Sequence, residues 1–294
     1  MCGAIFALLA LLVLLAVLYF VWPVLRARKI KDGDVVLITG ASAGIGAALA
    51  RHYARRRARL VLAARRADKL GEVAEACKQL GAPDVLVVPT DVTKEQDCKA
   101  LVERAMDRFL RIDLLLLNAG VGCMVRFDEL KDLKSFRDTM EINYWGYVNM
   151  TFYALPFLRK CGGRICAISS LAGHFGVPTR TGYAPTKWAV NGFFNSLRCE
   201  VGHQVGITVV CPGFVLSEIH DRAHGMDGAA ARRNMSHFMS ADRCAELTAR
   251  AVDHGRRELV MTALGKLGVA LKPFVPGLLD RMAIRKALSA VRKG

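Results

Sequence analysis

The chain has 294 residues, 53% apolar and 23% charged, a composition that supports a sizeable core and excludes both a disordered chain and a disulfide-rich miniprotein. Forty-two Lys and Arg against 26 Asp and Glu leave a formal charge of +16, which points to an anionic partner: a phosphorylated cofactor, an acidic membrane surface or a nucleic acid. The nine cysteines are scattered through apolar runs without a CxxC pair, and read as reduced, buried thiols in a domain facing the cytosol, not as a disulfide framework or zinc site.

No charged side chain precedes Arg26, and Ala4 to Leu25 is apolar except for Pro23. These 22 residues, at about 1.5 Å each, span roughly 33 Å, enough to cross a bilayer core of about 30 Å. The stretch lacks a basic start, is long for a signal peptide and ends in Arg26, Arg28, Lys29 and Lys31. Residues 1–31 are therefore read as an uncleaved membrane anchor with its basic flank. The positive-inside rule places the following domain on the cytosolic side of the endoplasmic reticulum or another internal membrane, with Tyr19 and Trp22 at that interface. A helix lying in one leaflet is the alternative.

From residue 33 short β-branched or Leu-rich runs alternate with longer amphipathic stretches, the pattern of a parallel sheet covered by helices on both faces. The spacing predicts strands at 35–39, 59–64, 85–89, 113–117, 163–169, 206–211 and 257–261, and helices at 44–57, 67–80, 94–109, 132–159, 183–202 and 241–254. The expected fold is α/β, a single doubly wound parallel sheet of about seven strands. No linker or repeat interrupts it, so residues 32–262 form one domain, followed by a basic, apolar extension at 263–294. Residues 213–240, rich in His, Met and Arg, have no clear period and follow a strand's carboxyl end, which marks a substrate lid.

The first strand, VVLIT, runs directly into GASAGIG and an Ala-rich helix, the strand-turn-helix context that a dinucleotide-binding turn requires. Gly40 permits the tight turn, Gly44 lets the backbone approach a pyrophosphate, and Gly46 allows close packing of helix on strand; Ser42 and Ile45 complete the turn. After the second strand stand Arg65 and Arg66, where an NAD site would carry an acid for the ribose hydroxyl. A guanidinium suits a 2′-phosphate, so NADP(H) is favoured over NAD(H).

Tyr183 and Lys187 lie at i and i+4, adjacent on one face of a helix whose start is set by Pro185. A cation beside a phenol favours the phenolate and lowers its pKa from about 10, fitting it for proton exchange with a substrate oxygen. Upstream, the strand RICAIS ends in Ser169-Ser170, an LNAG turn occupies 117–120 and a PG pair follows at 212–213. With TGASAGIG, these motifs stand in the order and spacing of the short-chain dehydrogenase/reductase family, which the chain resembles over about residues 33–262.

The resemblance implies that Tyr183 is the general acid/base, that Ser170 binds the substrate carbonyl, that Lys187 holds the nicotinamide ribose and lowers the Tyr183 pKa, and that Asn143 positions the water of a proton relay. It also implies that Asp91 and Val92 contact adenine, that Asn118, Ala119 and Gly120 line the cofactor and steady the sheet, and that Pro212, Gly213, Val215 and Ser217 hold the carboxamide. Ser217 stands where Thr is usual, Leu117 replaces the first Asn of NNAG, and Ala43 occupies a position often basic in NADP-preferring members. No metal is required for this chemistry, and His220, His224 and His237 lack ligand spacing.

The anchor, the ARR turn and the tail most resemble membrane-bound reductases of steroids, retinoids and other lipid carbonyls, including the 11-beta-hydroxysteroid dehydrogenase-like and dehydrogenase/reductase member 7-like groups. A 3-ketosphinganine reductase-like enzyme and a non-catalytic NADP(H)-binding scaffold are the alternatives. The tail is read either as an interfacial segment on anionic lipid or as packing around the substrate mouth. No motif for nucleic acid accompanies the charge. The resemblance further implies a homodimer or homotetramer built through the helices near 132–159 and 183–202.

Overall fold

The computed structural model describes residues 29–216 and 238–291, with Ala10 and Leu11, which are helical; for 286–291 only the backbone is described. Apart from Ala10 and Leu11, the expected anchor lies outside the described residues, as do Tyr19 and Trp22, Ser217 and the lid residues 217–237. Among the described residues no helix is long and apolar enough to cross a membrane.

Seven strands, β1 (Val35–Thr39), β2 (Arg59–Ala64), β3 (Val85–Pro89), β4 (Leu114–Leu117), β5 (Arg164–Ile168), β6 (Gly206–Cys211) and β7 (Glu258–Val260), pair in parallel in the order β3-β2-β1-β4-β5-β6-β7. Strands such as LLLL in β4 carry no alternation because both faces of the sheet are covered. Val35 and Leu37 of β1 point into one core, against Leu101 and Phe109 of α3 (Glu95–Phe109), Met150 and Leu158 of α5 (Gly146–Cys161) and Phe194 of α6 (Ala184–Val201). Val36 and Ile38 point into the other, against Leu49 and Tyr53 of α1 (Gly44–Ala54), Leu70 of α2 (Ala67–Gln79) and Ala249 of α7 (Ala241–Asp253).

The single helix expected over 132–159 is divided. A short α4 (Lys134–Met140) passes into a π-helical turn, Glu141–Trp145, and then into α5. Such turns insert a residue into the helical ladder and mark functional sites, and this one carries Asn143.

Three of the seven arginines at 51–66 make ion pairs with acids elsewhere in the chain. Arg56 lies 2.8 Å from the buried carboxylate of Asp253, Arg57 2.7 Å from Asp32 and Arg51 3.2 Å from Asp242. Eight described cysteines are free, and six of them are buried as expected; Cys199 is exposed and Cys161 half-buried. The residues after 262 form α8 (Ala263–Leu271) and α9 (Pro276–Val291). Gly265 and Gly268 bring α8 down on Leu171 and Phe175, where an added Cβ would stand 2.7 and 2.9 Å from those side chains.

Candidate active site

The strand order reverses between β1 and β4, and a cleft opens there at the carboxyl ends of the strands. Its turn is built by omission of side chains. Gly40 has φ +66°, and a Cβ on it would meet Ala119 Cα at 2.8 Å. A Cβ on Gly46 would sit 2.2 Å from the Gly40 carbonyl oxygen. Gly44, the first residue of α1, also lies in the left-handed region, with φ +54°. No side chain caps α1, so its first N–H groups and positive dipole end are left to an anion. The cradle therefore fits the pyrophosphate of a dinucleotide.

Asn118 locks this arrangement. Its amide nitrogen donates to the carbonyls of Thr39 and Gly40, both at 3.1 Å, while its backbone N–H donates to Thr39 Oγ1 at 3.0 Å. The NAG turn thus joins the ends of β4 and β1, and Thr39 is a participant that the motif alone did not single out. Gly40, Ser42, Gly44, Ile45, Arg65, Arg66, Asp91, Val92, Asn118, Ala119 and Gly120 all line the cleft. Gly46 does not; it sits behind the turn, as its packing role requires. Thr90, Val121 and Ile142 line the cleft without having been anticipated. Arg66 donates to Ser42 Oγ at 3.1 Å and so bridges the two turns, while Arg65 is exposed at the rim.

The residues expected to be catalytic converge from three elements at the neighbouring strand ends. Ser170 follows β5 and accepts the Ala172 N–H at 3.1 Å. Tyr183 is the N-cap of α6, with Pro185 in the first turn, where a missing N–H is harmless. One turn on, Lys187 is buried, and its Nζ lies 5.8 Å from the centre of the Tyr183 ring and donates to the Ile168 carbonyl at 3.0 Å. Tyr147, unremarked in the sequence, donates its hydroxyl to the same carbonyl at 3.0 Å and presents its ring 5.2 Å from the Lys187 ammonium. Asn143, wholly buried in the π turn, accepts from the Val121 N–H at 2.8 Å and donates to the Val121 carbonyl at 3.0 Å and to Thr186 Oγ1 at 3.1 Å. Its side chain fastens the loop after β4 to the start of α6.

The electrostatics differ from the simple expectation of a phenol acidified by its lysine. Burial dominates and pushes the Tyr183 phenol up; a hydrogen bond with Ser170 and the Arg180 guanidinium, 5.7 Å from its ring, work in the opposite direction. Burial likewise depresses Lys187 to about 8. The Tyr183 hydroxyl therefore stays protonated at neutral pH, the form that delivers a proton to a carbonyl oxygen.

Of the residues expected at the carboxamide, Pro212 accepts the Leu171 N–H at 3.0 Å, tying the PG turn to the segment after Ser170. Gly213 packs on Thr262, and Val215 bridges to Met239. The Leu216 N–H donates to Met239 at 2.9 Å, and the rings of Phe214 and Phe238 stack at 5.0 Å. The two described ends of the expected lid thus meet at a neck.

A family model described as short chain dehydrogenase matches residues 34–227. The dehydrogenase/reductase SDR family protein 7-like protein of Dictyostelium discoideum is 40% identical over 95% of this chain and 92% of its own length. The 11-beta-hydroxysteroid dehydrogenase A of Sesamum indicum is 49% identical over 64% of this chain, which spans 54% of that relative. Among solved structures, an alcohol dehydrogenase from Thermococcus sibiricus complexed with 5-hydroxy-NADP is 28% identical with a TM-score of 0.70, covering 78% of this chain and 95% of its own. A short chain dehydrogenase/reductase from Burkholderia phymatum in complex with NAD is 26% identical with a TM-score of 0.78, covering 86% and 97%.

Proposed function

Because the chain belongs to the short-chain dehydrogenase family, we propose a particular activity within it: NADP(H)-dependent reduction of a hydrophobic ketone, at a membrane. Membership itself makes the protein an NAD(P)(H)-dependent oxidoreductase of CH–OH and C=O groups. The observation that carries the reading is Tyr183 at the start of α6 with the buried Lys187 one turn on, its Nζ 5.8 Å from the centre of the phenol ring.

The nicotinamide supplies the hydride, which is chemistry no side chain offers. Ser170 holds the carbonyl oxygen and Tyr183 gives it a proton, in the protonated form that burial favours. Lys187 keeps positive charge next to the phenol as that proton leaves, and the Ile168 carbonyl and the Tyr147 ring hold the ammonium in place. Asn143 fixes Val121, on the wall of the cofactor cleft, and in this reading also orders the relay water.

Arg65 at the rim and Arg66 beside Ser42 support a 2′-phosphate. Membrane residence rests on the apolar run 4–25 and on α8, α9 and the turn between them, which expose Leu264, Phe274, Leu278 and Met282 among Lys266, Arg281 and Arg285. The relative named for 11-beta-hydroxysteroid dehydrogenase favours a steroid-type substrate, and the basic residues Arg26, Arg28, Lys29 and Lys31 favour a catalytic domain facing the cytosol. A homodimer or homotetramer through α5 and α6 would cover Trp145, just before α5, and Phe152, both exposed.

The test is oxidation of NADPH and NADH, followed by loss of reduced-nicotinamide absorbance, by detergent-solubilised protein against steroid, retinoid, long-chain keto-base and simple ketone substrates. NADPH is expected to be preferred by roughly tenfold or more, the worth of one charge-assisted hydrogen bond. A preference for NADH would overturn the role given to Arg65.

A further inference from the structure

Behind the catalytic cluster, three residues that no motif links are brought together. His174 follows the turn after Ser170, Cys211 ends β6, and Glu258 begins β7. His174 Nε2 lies 2.9 Å from Glu258 Oε1, Cys211 Sγ lies 3.4 Å from His174 Nε2, and Cys211 Sγ lies 3.7 Å from Glu258 Oε1. One nitrogen, one sulfur and one carboxylate oxygen thus form a single compact triangle.

The triangle has the dimensions of a tetrahedral face. With bonds of about 2.3 Å to sulfur and about 2.0–2.2 Å to nitrogen and oxygen, tetrahedral geometry separates the donors by roughly 3.4–3.6 Å. The observed edges bracket that range, so small side-chain adjustments would centre an ion. Soft sulfur with imidazole and carboxylate selects zinc-like cations over magnesium or calcium.

The surrounding structure holds the donors in place. Lys272 donates to the His174 carbonyl at 2.6 Å, which fixes the backbone of that residue, and Leu171 donates to Pro212, next to Cys211. The Cys211 thiol is wholly buried, whereas the His174 side chain is 19% exposed and that of Glu258 37%, so solvent reaches the cluster from one side. Burial and the Glu258 carboxylate push the thiol up to about 12, so it does not act as a free thiolate nucleophile. Lys187 faces the thiol and Arg198 faces Glu258; both oppose a cation, and the thiolate and carboxylate offset them. A coordinated thiol is deprotonated outright by the ion.

We propose that His174, Cys211 and Glu258 form a binding site for a zinc-like divalent cation, with three protein ligands and a fourth position open to water. The ion ties the ends of β6 and β7 to the segment that carries Ser170. The site is separate from the cofactor cleft, and its occupancy is measured without turnover.

Cobalt(II) is the probe, titrated into the full chain in detergent. One equivalent is expected, with a near-ultraviolet sulfur-to-cobalt band and tetrahedral visible bands, both removed by zinc. Cys211→Ser abolishes the near-ultraviolet band. Glu258→Gln and His174→Asn keep the thiol and weaken binding roughly tenfold or more, which keeps the test intact if Cys211→Ser fails to fold. Absence of a sulfur band in the unsubstituted protein, or a band and affinity indifferent to these variants, would overturn the proposal.

Discussion

The cofactor cleft and the cluster of Asn143, Ser170, Tyr183 and Lys187 at the neighbouring strand ends are built on opposite principles. The cofactor turn is made of backbone and of missing side chains: Gly40 and Gly46 clear space, Gly44 takes a left-handed φ, and the uncapped helix start leaves N–H groups exposed. The cluster is made of polar side chains withdrawn from water: Asn143 and Lys187 are buried, and Tyr183 is half-buried with its phenol pushed up. The first is governed by sterics and tolerates no added atom; the second is governed by desolvation, and its cost is borne by the folded state. Substitutions should therefore hurt the two regions in different measurable quantities.

The largest effect belongs to Tyr183→Phe. Turnover should fall by about 10²–10⁴, the usual worth of a positioned acid, while NADP(H) affinity measured by fluorescence stays unchanged. An unchanged turnover number would remove Tyr183 from the mechanism.

Lys187→Met should separate function from stability. Burial lowers this lysine from the ordinary 10.5 to about 8, so keeping it charged costs the fold about 3 kcal/mol. That cost is fully present below pH 8 and is relieved between 8 and 10.5, where the folded state gives up its proton before the unfolded state does. The variant should lose turnover yet resist urea better at pH 7 than the parent, and the parent's stability should rise towards pH 10 relative to the variant. A variant less stable than the parent at neutral pH would show that the hydrogen bond to Ile168 outweighs desolvation.

Sterics set the smaller effects. Gly46→Ala places a Cβ 2.2 Å from the Gly40 carbonyl and should cost about 1–3 kcal/mol along with cofactor affinity. Gly71→Ala, in α2 with no atom within 4 Å of the new Cβ, should instead stabilise by about 0.5–1 kcal/mol in thermal or denaturant unfolding. Equal responses at the two glycines would mean that the turn is not close-packed.

Much of this was legible in the sequence because it is local. Each strand is dominated by consecutive apolar residues, and the turn, the NAG segment and the Tyr183–Lys187 pair each lie within a few positions. What escaped is what the topology assembles. The Thr39 hydroxyl that receives the Asn118 and Ala119 N–H groups is 79 positions from Asn118. Tyr147 reaches the Lys187 ammonium only because both donate to the end of β5. The π turn at Asn143 has no periodic signature, so one helix was expected where two were found. The sign at Tyr183 was missed because spacing reveals a neighbouring cation but not the depth of burial.

The neck formed by Leu216 and Met239 has an evolutionary consequence. Since residues 214–216 and 238–239 pair with each other, the stretch between can be exchanged or lengthened while the strand register stays as it is. Closing a loop of twice the length adds only about 0.6 kcal/mol. Such a joint lets a lineage vary that stretch, one insertion at a time, without disturbing the strands beneath it.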